Sequence, residues 1–328
     1  MSRIPTTCGL SKSPFNADID TIKKGAPAPF FLYAKIVKGA VMFKLSDIPV
    51  DSGAVIRIPA AGQRAMVEAF RSSREEPVIA KLAATVLLLR ESTEAPSGFE
   101  TFMMKRAKTM KFVPDAVVFP GGSVRVDDDG EIAWAGPTPE MWARRLGVDA
   151  SVARSIVVAA ARELFEECGV LLASRDGESP IETVTDAEFW LNARRTLEAH
   201  ELSFSELLSS CGLELRSDFL HARSRWTTPE YQPRRYDTFF FAARLPQGQT
   251  AHLMTSEATL SDWVDPQWVL EEGDAGRLHV VPPTAYNLKS CVSAGSLDAL
   301  MEQEPPIDRV MFRPVGEGDE MRLECVLP

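Results

Sequence analysis

One segment constrains this chain more than any other: an apolar helical stretch that ends in a cluster of glutamates and a glycine. Residues 151–168 have the spacing of a helix, with a serine as the expected N-cap and Gly169 as the residue that ends it. Glu163, Glu166 and Glu167 are spaced i, i+3 and i+4, so the helix places all three carboxylates on one face. Their mutual repulsion and the negative end of the helix dipole both disfavour this arrangement. A bound divalent cation would remove these penalties; the alternative is a solvated helix face.

Strand patterns flank this helix. Residues 83–89 and 99–104 predict a hairpin around a Pro-Ser-Gly turn at 96–98. A short strand at 116–119 runs into a Gly-Gly loop, where bare backbone can come close to a ligand. A dense aromatic strand is predicted at 236–243. Strands on both sides of a long helix indicate an α/β chain.

The longer pattern resembles a known signature. Arg-Glu-hydrophobe-x-Glu-Glu-x-Gly-hydrophobe at 162–170, preceded by Phe-Pro-Gly-Gly at 119–122, resembles the Nudix box. The resemblance implies an α/β/α sandwich around a mixed sheet, with helical insertions. It also implies that Glu166 and Glu167 bind Mg²⁺ or Mn²⁺, and that Glu163 is a further ligand or the base that activates water.

Two further roles follow from the same resemblance. The Gly121 carbonyl matches the backbone ligand of the family, and Arg162 matches the arginine that orients the glutamates.

The chain departs from the family in its spacing. The second glycine of the box usually lies fourteen residues before the arginine, whereas Gly122 lies forty residues before Arg162, so we infer an insertion of 26 residues at about 123–148. Eight residues before the arginine, where the family has a further glutamate, this chain has Arg154. One of the three aspartates at 127–129 could replace it, but we expect Asp127, Asp128 and Asp129 to form a solvated loop.

Other segments narrow the substrate. Arg106, Lys111 and Asp115, upstream of the glycines, resemble a coenzyme A diphosphatase signature with Lys for Arg and Asp for Gly. Segments 226–238 and 281–284 are similar to the branch that contains the animal peroxisomal coenzyme A diphosphatase, in which an interrupted box is common. The resemblance implies a small nucleotide-type substrate, with coenzyme A or acyl-coenzyme A preferred. The alternatives are another nucleoside diphosphate derivative, such as NADH or ADP-ribose, or a Nudix-fold sensor that binds a nucleotide without cleaving it.

Some candidate residues have a second interpretation. Arg234 and Arg235 could hold a substrate phosphate, or they could be structural ion-pair partners. Glu257 is a candidate additional acid, as a base or metal ligand. Trp226 is expected in the core, with a base-stacking platform as the alternative, and none of the four histidines has the spacing of a metal ligand pair.

The expected organisation is an irregular extension at 1–77 followed by one domain at 78–328. A helical insertion is expected at about 182–211, and a C-terminal strand pair at about 310–312 and 321–325.

Composition limits the class of partner. The net charge of −10 argues against a broad nucleic-acid-binding face, because phosphate backbones are held by clustered Lys and Arg. The apolar runs are shorter than a membrane helix, and the five scattered cysteines do not suggest a disulfide framework or a zinc site. We therefore expect a cytoplasmic protein without membrane or nucleic-acid partners; the sequence leaves its oligomeric state open.

Overall fold

The computed structural model describes residues 44–57, 70, 76–110, 113–175, 177, 179–181, 188–254, 258–316 and 321–328. The described strands are β1 (Val55–Arg57), β2 (Lys81–Glu91), β3 (Phe99–Arg106), β4 (Val117–Val118), β5 (Gly121–Ser123), β6 (Trp134–Ala135), β7 (Ala173–Ser174), β8 (Glu214–Arg216), β9 (His221–Thr227), β10 (Tyr236–Arg244), β11 (Ala258–Val264), β12 (Arg309–Val310), β13 (Arg313–Val315) and β14 (Arg322–Val326). The described α-helices are α1 (Pro139–Leu146), α2 (Ala150–Cys168), α3 (Glu188–Glu198), α4 (Phe204–Ser210), α5 (Pro266–Asp274), α6 (Pro282–Ala294) and α7 (Leu297–Glu302). Short 3₁₀ turns lie at Leu45–Asp47, Val126–Asp129 and Ser217–Phe219.

The predicted hairpin and the aromatic strand form the centre of the main sheet. Its strand order is β11-β3-β2-β10-β9-β12, with β4 paired to β3 and β5 paired to β2. β2 runs antiparallel to β3 and parallel to β10, so the sheet is mixed. The predicted strands at 83–89, 99–104 and 236–243 are thus confirmed.

Side chains of β2 alternate between two apolar layers, as the pleat of a strand requires. Val86 and Leu88 pack in a cluster that contains most of α2, whereas Leu87 and Leu89 pack in a second cluster that contains residues of α5, α6 and α7. Helices therefore cover both faces of the sheet, which confirms the α/β/α sandwich.

Helix α2 differs slightly from its prediction. It begins at Ala150, after the extended residue Asp149, so Ser151 lies inside the helix and is not its N-cap. It ends as predicted, because Gly169 has φ 73° and its N–H donates to the Phe165 carbonyl. All residues from 156 to 168 are buried.

The predicted C-terminal strand pair is wrong in its partners. β12 pairs with β9 in the main sheet, whereas β14 pairs antiparallel with both β13 and β1. Apolar alternation finds such short strands but does not choose their neighbours. Because β1 belongs to the expected extension, part of that segment joins the folded body, where Ile56 is buried.

The expected insertion regions contain regular structure. Residues 123–148 include a 3₁₀ turn, β6 and α1, and α3 and α4 lie within the expected helical insertion; residues 182–187 of that segment are outside the described residues. In the part of the chain that the structure describes, helices long and apolar enough to cross a bilayer are absent.

Candidate metal centre and substrate pocket

The three helix glutamates are buried. Glu163, Glu166 and Glu167 are 7%, 5% and 7% exposed, which rules out the solvated helix face. Burying several carboxylates is costly unless cations or hydrogen bonds compensate them. The surroundings of these residues provide part of that compensation.

Arg162 is the central cation of the cluster. Its side chain is 0% exposed, and its Nη1 lies 2.7 Å from Oε1 of Glu163 and 3.2 Å from Oε1 of Glu166. Its Nε and Nη2 donate to the two carboxylate oxygens of Asp128, at 2.7 and 3.0 Å. The guanidinium therefore connects the glutamate face to the segment that follows the glycines, which fits the orienting role that the resemblance implied.

Asp128 corrects one expectation. The aspartates at 127–129 were expected to be solvated, but Asp128 is 1% exposed and forms a forked pair with Arg162. It also accepts the backbone N–H of Arg125 at 2.7 Å, which fixes the 3₁₀ turn. A count back from Arg162 reaches Arg154 and so misses this carboxylate. Counted forward from Gly122 with the family's spacing, the position of the extra glutamate is Asp128.

The two glycines close the site from the sheet side. Gly121 and Gly122 pair with Thr85 and Ala84 of β2, and the Gly121 N–H donates to Oε2 of Glu167 at 2.8 Å. A Cβ on Gly122 would overlap the carboxylate of Glu163. The sequence predicted that bare backbone here approaches a ligand; in the structure it approaches the glutamates.

The donor set fits a hard divalent cation. Glu163, Glu166 and Asp128 contact two guanidiniums, those of Arg162 and Arg125, and Glu167 accepts the Gly121 N–H, so four carboxylates are grouped around two guanidiniums. Carboxylate oxygens are the ligands that Mg²⁺ and Mn²⁺ prefer, and one such ion would neutralise the remaining charge. Within the described ranges, however, the side chains do not form a ready metal cage, because the glutamates are turned toward the arginines and toward Gly121.

Burial also changes the acidity of two of the glutamates. Burial raises the pKa of Glu163 to about 7, although Arg162 opposes the shift. Burial likewise raises the pKa of Glu166, against the opposing effects of Arg162 and Arg125. Glu163 and Glu166 thus hold protons more readily than ordinary glutamates.

This shift predicts a pH-dependent stability for the metal-free protein. A carboxyl whose folded pKa lies above its ordinary value of 4.5 stabilises the fold at low pH and loses that contribution as the pH rises toward about 7. In EDTA, Glu163→Gln should therefore gain stability relative to wild type between these values, by at least about 1 kcal/mol, and level off above them. Thermal unfolding of both proteins from pH 5.5 to 8 measures the difference; a difference that does not change with pH would contradict the prediction.

A pocket of about 440 Å³ opens in front of the glutamates. Its lining includes all three glutamates, Gly121, and the following residues, which face them or form the rim: Arg106, Arg125, Glu198, His200, Arg234, Tyr236 and Thr238. Of the predicted substrate arginines, Arg106 and Arg234 therefore lie at the pocket. Of the histidines, His200 lies there too, at the exposed end of α3, which its sequence spacing did not indicate.

Arg235 lies elsewhere. It is buried, its Nε donates to the Thr228 carbonyl at 3.0 Å, and its Nη1 donates to the Val78 carbonyl at 2.6 Å. Its guanidinium thus joins backbone segments, which favours the structural interpretation. Two other candidates, Lys111 and Glu257, lie outside the described residues.

Two more expectations have a clear outcome. Trp226 is 4% exposed and packs against Tyr286 and Phe312, so its core position is confirmed.

Asp115, which stands where the resembling signature has glycine, has φ 61°. A left-handed backbone favours glycine, and aspartate is among the residues that tolerate it. The departure is therefore compatible with the same turn.

Comparisons with known proteins agree with this geometry. Residues 144–291 match the model of the NUDT19 Nudix domain. The chain is 28% identical over 206 residues to a putative nudix hydrolase 7 of Caenorhabditis elegans, covering 63% of this chain and 58% of the relative. It is 26% identical over 226 residues to the acyl-coenzyme A diphosphatase NUDT19 of Xenopus laevis, covering 58% and 59%. The chain thus spans about three fifths of the length of these curated relatives.

A solved structure gives the same answer for the fold. The crystal structure of a NUDIX hydrolase from Alicyclobacillus acidocaldarius superposes with a TM-score of 0.59 at 25% sequence identity, over 70% of this chain and 99% of that one. The sandwich, the buried glutamate helix and these matches lead to one conclusion: the chain has the Nudix fold and resembles the Nudix hydrolase family, in particular the NUDT19 proteins.

Proposed function

We propose that this protein is a metal-dependent diphosphohydrolase of nucleotide-type substrates. One observation carries the proposal: three buried glutamates of α2 line a pocket that Arg106 and Arg234 also line. Acidic residues that hold a cation, together with arginines that hold phosphate, form the pair of functions that phosphate-ester and anhydride cleavage requires.

Each residue of the site has a separate proposed role. Glu166, Glu167 and the Gly121 carbonyl would hold Mg²⁺ or Mn²⁺, with Glu163 as a further ligand or as the base. A divalent ion held there would neutralise the diphosphate and make a bound water more acidic. The raised pKa of Glu163 suits a group that accepts a proton from water near neutral pH. Arg162 and Asp128 would position the glutamates without touching substrate.

The preferred substrate is coenzyme A or an acyl-coenzyme A, cleaved at the diphosphate to a phosphopantetheine and an adenosine bisphosphate. The names of the vertebrate relatives support this choice, as does the partial signature around Arg106. Another nucleoside diphosphate derivative, such as NADH or ADP-ribose, is the enzymatic alternative. The cytoplasmic location stays a prediction.

The test is product formation from coenzyme A, acyl-coenzyme A, NADH, ADP-ribose and nucleoside triphosphates, with Mg²⁺ or Mn²⁺ and with EDTA. We expect metal-dependent cleavage, fastest for a coenzyme A compound and lost in Glu166→Gln. Faster cleavage of NADH or ADP-ribose would overturn the substrate choice. Stabilisation by a nucleotide with metal, but no product at high enzyme concentration, would indicate the non-catalytic sensor.

A further inference from the structure

Arg125 contacts the proposed metal ligands from the segment that follows the glycines. Its Nη1 lies 3.0 Å from Oε1 of Glu166, and its Nη2 lies 2.9 Å from Oε2. A forked pair of this kind is among the strongest ion pairs in proteins. Both oxygens of Glu166 are thus occupied by one guanidinium.

A metal ion at Glu166 would compete with this pair, because Arg125 and Arg162 both donate to Oε1 and the Arg125 guanidinium also donates to Oε2. Arg162 competes less, because it contacts only Oε1 of Glu166, at 3.2 Å, and has Asp128 as its forked partner. A metal ion that binds Glu166 would therefore displace Arg125 before Arg162.

The position of Arg125 allows it to give way. Arg162 is fully buried, whereas the side chain of Arg125 is 16% exposed and lines the pocket. Among the described residues, its side chain also donates to the Leu197 carbonyl, 3.0 Å from Nη1, near the C-terminal end of α3. A cation is favoured at a helix C-terminus, so this contact can keep the arginine at the pocket after it releases Glu166.

We propose that Arg125 is a displaceable cation that exchanges Glu166 for a substrate phosphate. Without metal, it neutralises Glu166. When a divalent ion takes over Glu166, the guanidinium turns into the pocket and binds a phosphate oxygen, for which its fork is as well suited as for a carboxylate. The inference rests on the proposed function, and it adds a substrate-binding residue that also lowers the affinity of the empty site for metal.

The test uses two measurements that must move in opposite directions. Mn²⁺ titration followed by electron paramagnetic resonance should show about tenfold tighter binding by Arg125→Gln than by wild type, because one competing charged hydrogen-bond pair is lost. The KM for the best substrate should rise by about tenfold, because a phosphate contact is lost. If Arg125 had only a structural role, its removal would weaken both Mn²⁺ binding and substrate binding.

Controls separate this inference from the proposed function. Arg195→Gln removes an equal charge from the exposed face of α3 and should change neither measurement. Arg125→Lys keeps the charge without the fork and should lie between wild type and Arg125→Gln; it serves if the glutamine variant does not fold. Equal or weaker Mn²⁺ binding in the folded Arg125 variants would overturn the inference. If wild type and Glu166→Gln both failed to bind Mn²⁺, the proposed function would fail first.

Discussion

Replacing Asp128 with alanine should destabilise the protein by about 3 kcal/mol, because removing one partner of a buried charged pair leaves the other partner's donors without an acceptor. Arg162, at 0% exposure, would lose both hydrogen bonds from its Nε and Nη2 to that carboxylate. Its other carboxylate partners, Glu163 and Glu166, both contact Nη1, so they do not replace Asp128 at Nε. The free energy of unfolding in urea, measured in EDTA, gives the size of the loss.

Asp129 provides the matched control, because it is the next residue, has the same side chain and is exposed. Asp129→Ala should stay within about 0.5 kcal/mol of wild type. Equal stabilities of the two variants would mean that Asp128 is solvated after all. We also expect Asp128→Ala to lose activity beyond its loss of folded protein, since Arg162 would no longer hold the glutamates in place.

Replacing Gly122 with alanine should cause a large loss of activity with little loss of stability, whereas the main effect of Asp128→Ala is on stability. The new methyl group would overlap the end of the Glu163 side chain, which can move into the pocket. The unfolding free energy should therefore change by less than about 1.5 kcal/mol. Displacing Glu163 by an ångström should lower kcat/KM roughly hundredfold, as misplaced catalytic groups do.

A double-mutant cycle tests the cause of that loss. Glu163→Asp shortens the side chain by one methylene and leaves room for the methyl group. If the clash explains the loss, adding Gly122→Ala to Glu163→Asp should cost much less activity than adding it to wild type. Additive losses would show that Gly122 acts in some other way.

Local patterns predicted most of the glutamate side of the site. The spacing of Glu163, Glu166 and Glu167 is a property of one helix, so it does not depend on how the rest of the chain folds. Arg125 and Asp128 could not be recognised in the same way, because their partners lie 41 and 34 residues away in sequence. Their importance comes from how the turn at Val126–Asp129 folds back onto α2.

Neighbouring arginines illustrate a second limit. Arg234 and Arg235 have the same chemistry and nearly the same position, yet one is exposed at the pocket and the other is buried against backbone carbonyls. Successive side chains near a strand point in opposite directions, so the pocket side is fixed only once the register of β10 is known. The prediction of the β14 partners was wrong for the same reason, because short strands carry little information on register.

The parallel pairing of β2 with β10 has a consequence for how the chain folds and how it can vary. Thr85 faces Phe240, so this pairing closes a loop of roughly 155 residues that contains the glycines, the glutamate helix and the expected insertion. Such a long closure slows folding, and the sheet cannot be completed during synthesis until β10 has left the ribosome. In so long a loop, an insertion changes the entropic free energy of closure very little. The 26 inserted residues add only about 0.2 kcal/mol. A large insertion between the glycines and the glutamates thus costs the fold very little, provided that Asp128 still meets Arg162.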